Sequence, residues 1–267
     1  MKEGETRMVA VTNEKGGVGK TVSVINLGAA LAKAKERILI VDMDPQANAT
    51  RGLGMDPRES RPGTYDMIKN EAPVSAEEVI RGTSWQGLDV MPSHVDLSGA
   101  EVELVDQPGR ENRLGHALSA VGDRYDRILI DTPPSLSLLT VNVLACAGEI
   151  LVPCQTHPYA FDALEELFDT VSAVREAINP GLKTAGILAT MVDQRTRVSR
   201  RVLQKLSSDA RYKTHLFTTV IRMNTTIADS ADAGKPVVYF RPKSHGALDY
   251  QNFAEEYRRR SVLIGKQ

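Results

Sequence analysis

The stretch "NEKGGVGKT", Asn13 to Thr21, decides how the rest of the chain is read. It follows the apolar run "MVAVT" (8–12) and opens onto "TVSVINLGAALAKAKE" (21–36), whose apolar residues recur at three- and four-residue spacing. A strand, a glycine-rich turn and an amphipathic helix are therefore predicted in succession, the context in which a phosphate-binding loop works. The common pattern G-x-x-x-x-G-K-S/T fits Gly19, Lys20 and Thr21, but Glu14 stands where its first glycine belongs, and a second lysine, Lys15, follows at once.

The chemistry of the loop follows from its residue types. Gly16, Gly17 and Gly19 permit backbone angles and close approaches that a Cβ would obstruct, so successive N–H groups can turn onto phosphate oxygens. The helix that begins near Lys20 adds its positive end. Lys20 is expected on the β- and γ-phosphates and Thr21 on Mg²⁺. Residues 14–21 are read as the loop, and Glu14, Lys15, Gly16, Gly17, Val18, Gly19, Lys20, Thr21 and Val22 as the nucleotide-binding segment. Two further apolar runs end in carboxylates: "RILIVDMDP" in Asp42 and Asp44, "RILIDTPPS" in Asp131. A strand that delivers a carboxylate to the loop end of a sheet suits a nucleotide-bound Mg²⁺, held through water. Asp44, beside Pro45, stands where it could orient or deprotonate an attacking water, or simply form a turn.

Outward from these motifs, "RILIVD" (37–42), "RILID" (127–131), "EILVPC" (149–154) and "AGILATMV" (185–192) read as strands buried on both faces, and "AFDALEELFDTVSAVREAI" (160–178) as an amphipathic helix. The alternation predicts an α/β fold: a single domain over residues 1–267 with a doubly wound, mostly parallel sheet and helices on both faces. The region from Arg51 to Arg124 is less regular; surface helices and loops around one sheet edge are expected there, with "LDVMP" as a short strand and no separate core. The tail "YQNFAEEYRRRSVLIGKQ" reads as a closing helix with a frayed end.

The formal net charge of −1 means that any affinity for an anionic partner must come from a local patch. Cys146 and Cys154 lie in an apolar stretch and read as buried thiols of a reduced cytosolic protein. The N-terminal segment lacks an apolar run of signal-peptide length, and the chain is expected to be soluble.

"KGGVGKT" taken with "VDMDPQANAT", "LIDTPPSLSLLTVNVL", "TMVDQRT" and "AGKPVVYFRPKSHGALDY" resembles the ParA/Soj branch of the deviant Walker-type ATPases, from Val9 to about Tyr257. The resemblance implies a P-loop NTPase fold and a switch that binds ATP or ADP with Mg²⁺, dimerises around two ATP molecules, binds DNA without sequence preference, and hydrolyses ATP slowly until a ParB-like or other adaptor accelerates it. It implies that Lys15 reaches the other subunit's phosphates. It further implies that Asp44 is the hydrolytic aspartate, that switch segments run over about 42–50 and 131–138, that Asp131 is metal-associated and that Asp42 supports the metal. Adenine contacts fall by the same resemblance on Met191, Asp193 and Met223, although for a methionine ordinary core packing is the plainer reading. The location implied is cytoplasmic and nucleoid-associated, and the work is segregation of plasmid or chromosome, or positioning of a protein cargo.

Positive charge gathers over about 195–260: Arg195, Arg197, Arg200 and Arg201, then Arg222, Arg241 and Lys243, then "RRR" at 258–260. Several such cations converging on phosphates would give nonspecific DNA binding, and the resemblance favours that reading. One departure from Soj-like sequences is Thr226, which stands where an arginine associated with DNA is expected. A membrane-positioning ATPase similar to MinD would need a continuing amphipathic tail, and "YRRRSVLIGKQ" supplies only a brief "VLI". A redox protein similar to the nitrogenase iron protein would need cysteines in exposed glycine-flanked loops, which these are not.

Overall fold

The structure, a computed structural model, describes residues 6–264. Among them seven strands form one sheet: β1 (Arg7–Val11), β2 (Ile38–Asp42), β3 (Arg81–Gly82), β4 (Leu88–Met91), β5 (Arg127–Asp131), β6 (Glu149–Gln155) and β7 (Lys183–Thr190). Their order is β3-β4-β2-β5-β1-β6-β7, and all pair in parallel except β3 with β4. The first half of the chain contributes helices α1 (Lys20–Lys33), α2 (Asn48–Gly52), α3 (Thr64–Ile68), α4 (Ala76–Val79), α5 (Leu97–Glu103) and α6 (Arg113–Ser119). The second contributes α7 (Leu138–Cys146), α8 (Ala160–Ala177), α9 (Arg197–Ser208), α10 (Thr225–Asp232), α11 (Val237–Phe240) and α12 (His245–Ile264).

The central strands read as continuous apolar runs because both their faces are covered. Successive side chains divide between two buried clusters. Val9, Val11, Ile38, Ile40 and Leu129 pack with α1, α11 and α12, and Ala10, Leu39, Val41, Ile128 and Ile130 face the helices on the other side. Helices thus lie on both faces, as the alternation predicts. The segment from Arg51 to Arg124 has no core of its own: Met67, Leu97, Leu104, Leu114 and Leu118 join the cluster beneath β2 and β5. Its β4 matches the expected strand. The two-residue β3 was not expected, since Arg81 and Gly82 carry no apolar pattern. The closing helix starts at His245, five residues before the expected Tyr250, because Ser244 caps it through a hydrogen bond from the Ala247 N–H. Residues 265–267, at the end expected to fray, lie outside the described residues.

One irregularity shapes the β7 edge. The β6–β7 register shifts between Ile150 and Leu151, and the extra residue leaves Gly186 at φ +155°. A Cβ there would stand 2.4 Å from Phe217 Cε2, on a ring packed edge-on against Phe253 at 5.0 Å between centroids. Gly186→Ala should therefore destabilise the chain by about 2–3 kcal/mol and lower Tm by several degrees in a thermal melt. An unchanged Tm would mean that the Phe217 packing yields freely.

Candidate functional site

The carboxyl ends of β1, β2 and β5 meet where the glycine-rich loop leaves the sheet. Parallel pairing sets Val11 and Asp42 each opposite Asp131. The loop is tied down from beneath. Asn13 donates through Nδ2 to the Pro153 carbonyl (2.9 Å) and accepts from the Lys15 N–H (3.0 Å), and Thr190 donates to the Val18 carbonyl (2.8 Å). Gly17 and Gly19 take φ +75° and +91°, the left-handed region that glycine tolerates. Gly19 also serves as N-cap of α1 with no side-chain cap, so the first-turn N–H groups are left for an anion.

Lys20 is buried, and its Nζ donates to the Lys15 carbonyl at 3.1 Å. Burial lowers its pKa, while Asp131 and Asp44 oppose that shift. Asp131 is fully buried, and neither of its carboxylate oxygens has a hydrogen-bond partner among the described residues. Its pKa is raised well above the ordinary carboxylate range by burial and next by Asp42, while the Thr21 hydroxyl, nearby but outside hydrogen-bond geometry, and Lys20 pull the other way. A buried carboxylate without a hydrogen-bond partner is costly, and a cation beside it would offset that cost. Asp131 with the Thr21 hydroxyl is a donor set of the kind Mg²⁺ takes, so the residues fit the metal.

Asp42 is equally buried but spends its oxygens within the chain. It accepts from the Thr50 N–H (2.8 Å), the Thr50 hydroxyl (2.7 Å) and the Asp44 N–H (3.2 Å), and burial still pushes its pKa up to about 6. It fastens the segment that carries Asp44 to the end of β2. Asp44 is buried too, and its Oδ1 accepts from the Gln46 N–H at 2.9 Å. The turn-forming alternative for Asp44 is thus realised, beside Lys20 rather than away from it.

Lys15 is half-buried, with Nζ 3.4 Å from His157 Nδ1 and 5.9 Å from the Tyr159 ring centroid; no carboxylate pairs with it among the described residues. Glu14 turns its carboxylate to α8, where it accepts from Thr170 at 3.0 Å. Beside the loop lies an apolar cavity of about 240 Å³, walled by Gly19, Val22, Met191, Met223, Ile227 and Tyr250 among others. Asp193 is not in its wall: Arg195 holds that carboxylate by its N–H and guanidinium at 2.9–3.0 Å. Of the three residues expected at adenine, Met191 and Met223 line this cavity and Asp193 lies outside its wall. His157, Tyr159, Thr190 and Tyr250 were missed, because no local pattern ties them to the loop. Asn13 adjoins the loop and could have been named.

The basic residues divide in the same way. Arg195 pairs with Asp193 while its side chain stays exposed, and Arg222 is bonded to Asp249 at 2.6–3.1 Å. Arg258 pairs with Glu36 and Arg260 with Glu256. Arg197, Arg200, Arg201, Arg241 and Lys243 are exposed and enter no ion pair among the described residues. Thr226 sits in the first turn of α10, where its N–H donates to Asn224 Oδ1 at 2.8 Å. Both thiols are pushed up to about 12 by burial, which keeps them protonated and poor nucleophiles. No described helix is long and apolar enough to cross a membrane.

Comparison with known proteins agrees with this geometry. The AAA domain family (AAA_31) matches residues 6–184. The sporulation initiation inhibitor protein Soj of Bacillus subtilis is 41% identical over 250 residues, 94% of this chain and 97% of Soj. The chain belongs to the ParA/Soj family. The chromosome partitioning protein ParA of Myxococcus xanthus is 40% identical over 96% of this chain and 89% of its own length. Among solved structures, cobyrinic acid a,c-diamide synthase of Mycobacterium smegmatis with bound ADP and magnesium superposes with a TM-score of 0.81 at 35% identity, covering 94% of this chain and 93% of that one. A P-loop NTPase fold therefore stands behind the ParA/Soj site.

The raised carboxyls make stability depend on pH. A group protonated more readily in the folded chain contributes stability below its ordinary pKa, near 3.8 for Asp131, and that contribution is lost as pH rises through the folded value. Asp131→Asn cannot ionise. In urea melts without nucleotide its stability should match the parent near pH 4 and exceed it by about 1–2 kcal/mol at pH 7. Parallel pH profiles would show that Asp131 already has a compensating partner.

Proposed function

We propose that residues 1–267 form one ParA-like ATPase domain that binds ATP with Mg²⁺, dimerises around two nucleotides, holds DNA without sequence preference, and drives segregation or positioning of a plasmid or chromosome. The observation that carries this reading is the division of labour between the two lysines. Lys20 is buried among carboxylates at the loop, whereas Lys15 stands at its mouth against the rings of His157 and Tyr159. A cation without an anionic partner among the described residues suits a phosphate brought by another chain.

In this reading the loop N–H groups and Lys20 hold the β- and γ-phosphates, and the 240 Å³ cavity encloses adenine against Met191, Met223 and Tyr250. Bound Mg²⁺ neutralises charge on the same phosphates. Thr21 and Asp131 would hold it, and the ADP and magnesium bound by the Mycobacterium relative support that assignment. Asp44 orients the attacking water and accepts its proton, and Lys15 of the neighbouring subunit stabilises the charge that develops in the transition state. A ParB-like or other adaptor then raises a slow rate. In this reading DNA contact falls to Arg197, Arg200, Arg201, Arg241 and Lys243, which enter no ion pair among the described residues, and the protein works in the cytoplasm on the nucleoid.

Retention on a DNA column with ATP, with ADP and without nucleotide, over a salt series, tests the switch. Retention should require ATP, and equal retention in all three states would overturn it. Replacing Arg197, Arg200 and Arg201 together by Ala should flatten the log–log salt dependence by up to about 5.4 for the dimer, from about 0.9 for each of its six lost phosphate contacts, whereas Arg222→Ala should leave the slope unchanged. Asp44→Ala should bind ATP normally and hydrolyse it at least about 100-fold more slowly. Lys20→Ala should lose ATP affinity itself. Normal turnover by Asp44→Ala would remove that residue from the mechanism.

A further inference from the structure

Helices α2 and α10 end in the same way, and their ends touch. In α10 the Lys235 N–H donates to the Ser230 carbonyl (2.9 Å) and the Gly234 N–H to Ala231 (3.1 Å). In α2 the Met55 N–H donates to Thr50 (3.2 Å) and the Gly54 N–H to Arg51 (2.9 Å). Both are Schellman endings, with Gly234 at φ +59° and Gly54 at φ +78°. The motif accounts for glycine at each position separately. It does not account for their packing back to back. A Cβ on Gly234 would stand 2.9 Å from Gly54 Cα and 3.1 Å from the Arg51 carbonyl oxygen, and one on Gly54 would stand 3.1 Å from the Gly234 oxygen.

What each helix carries gives the contact its meaning. Ile227, Ala228 and Ala231 of α10 form one wall of the apolar cavity beside the loop. At the other end, Thr50 of α2 holds the Asp42 carboxylate by its N–H and its hydroxyl, and Asp42 in turn accepts from the Asp44 N–H. Gly52 adds a third close packing, since a Cβ there would meet Ile25 Cδ1 of α1 at 2.4 Å. The cavity wall, the glycine pair, Thr50, Asp42 and Asp44 thus form one continuous line of contacts with no flexible side chain at its narrowest point.

We propose that the Gly234–Gly54 contact couples occupancy of the base cavity to the position of the Asp44 segment, so that a ligand filling the cavity orders residues 44–54 as well as its own pocket. Gly234 and Gly54 are positioning residues: they touch no ligand and act through backbone approach. The proposal rests on the nucleotide site described above and adds a direction of signalling within it.

Hydrogen exchange on the full chain in Mg²⁺ buffer tests this with two probes. ADP can fill loop and cavity, whereas inorganic tripolyphosphate can fill the loop alone. In the parent, ADP should slow exchange about tenfold both in 221–231 and in 44–54, and tripolyphosphate should protect the loop with little effect on either segment. In Gly234→Ala, ADP should still protect 221–231, while protection of 44–54 falls to the tripolyphosphate level. Gly54→Ala has the milder 3.1 Å contact and serves where the first variant folds poorly. Gly109→Ala, at φ +68° with nothing within 4 Å, controls for backbone strain alone and should behave as the parent. Equal ADP protection of 44–54 in the parent and both contact variants would overturn the coupling, as would tripolyphosphate protecting 44–54 as well as ADP does. If ADP protects neither the loop nor 221–231 in the parent, the nucleotide reading itself fails and takes the proposal with it.

Discussion

Parallel pairing of β2 with β5 forces Asp42 and Asp131 to lie side by side at the end of the sheet, with Asp44 two residues further on. All three carboxyls are buried, and among the described residues the buried ammonium set against them is that of Lys20. Such a cluster is short of positive charge. Carboxylates withdrawn from water either neutralise or acquire cations. Asp42 satisfies itself with hydrogen bonds from Thr50, and Asp131 does not. That unmet demand is what the proposed function builds on: a metal would answer it locally, and in that proposal a lysine from a second chain answers the charge that the phosphates add.

The scaffold keeps this arrangement from relaxing. Strands buried on both faces cannot slide without exposing Ile40 or Leu129, so the register that opposes the two aspartates is fixed by packing. The loop is anchored to β6 through Asn13 and to the end of β7 through Thr190, both of which act on backbone groups rather than on ligands. The site therefore stores unfavourable electrostatics on a rigid frame, the usual exchange of stability for function.

Much of this was legible in the sequence because it is local. Apolar runs ending in Asp42 and Asp131 announce buried parallel strands, and the spacing within "NEKGGVGKT" announces the loop between strand and helix. What was not legible depends on contacts distant in sequence. Asp193 sits in a stretch that resembles an adenine-binding segment, yet the arginine two positions later captures it. Arg222 looks like a surface cation, yet Asp249, 27 residues away, neutralises it. His157 and Tyr159 reach Lys15 only because β6 pairs with β1, and no periodicity in either segment signals that they meet. The two-residue β3 is invisible for a different reason, since a strand that short has no pattern to read.

The central claim is that Lys15 completes a neighbour's site rather than its own. Mixing two inactive chains tests it most directly: Lys15→Gln, which keeps Asp44, and Asp44→Ala, which keeps Lys15. If Lys15 acts across the dimer, each mixed dimer contains one complete site. ATP turnover of an equimolar mixture should then recover to about a quarter of the parent rate, since about half the dimers are mixed and one of two sites in each is whole. A mixture no more active than either variant alone would show that Lys15 serves the nucleotide of its own chain, and the account of the paired lysines would be wrong.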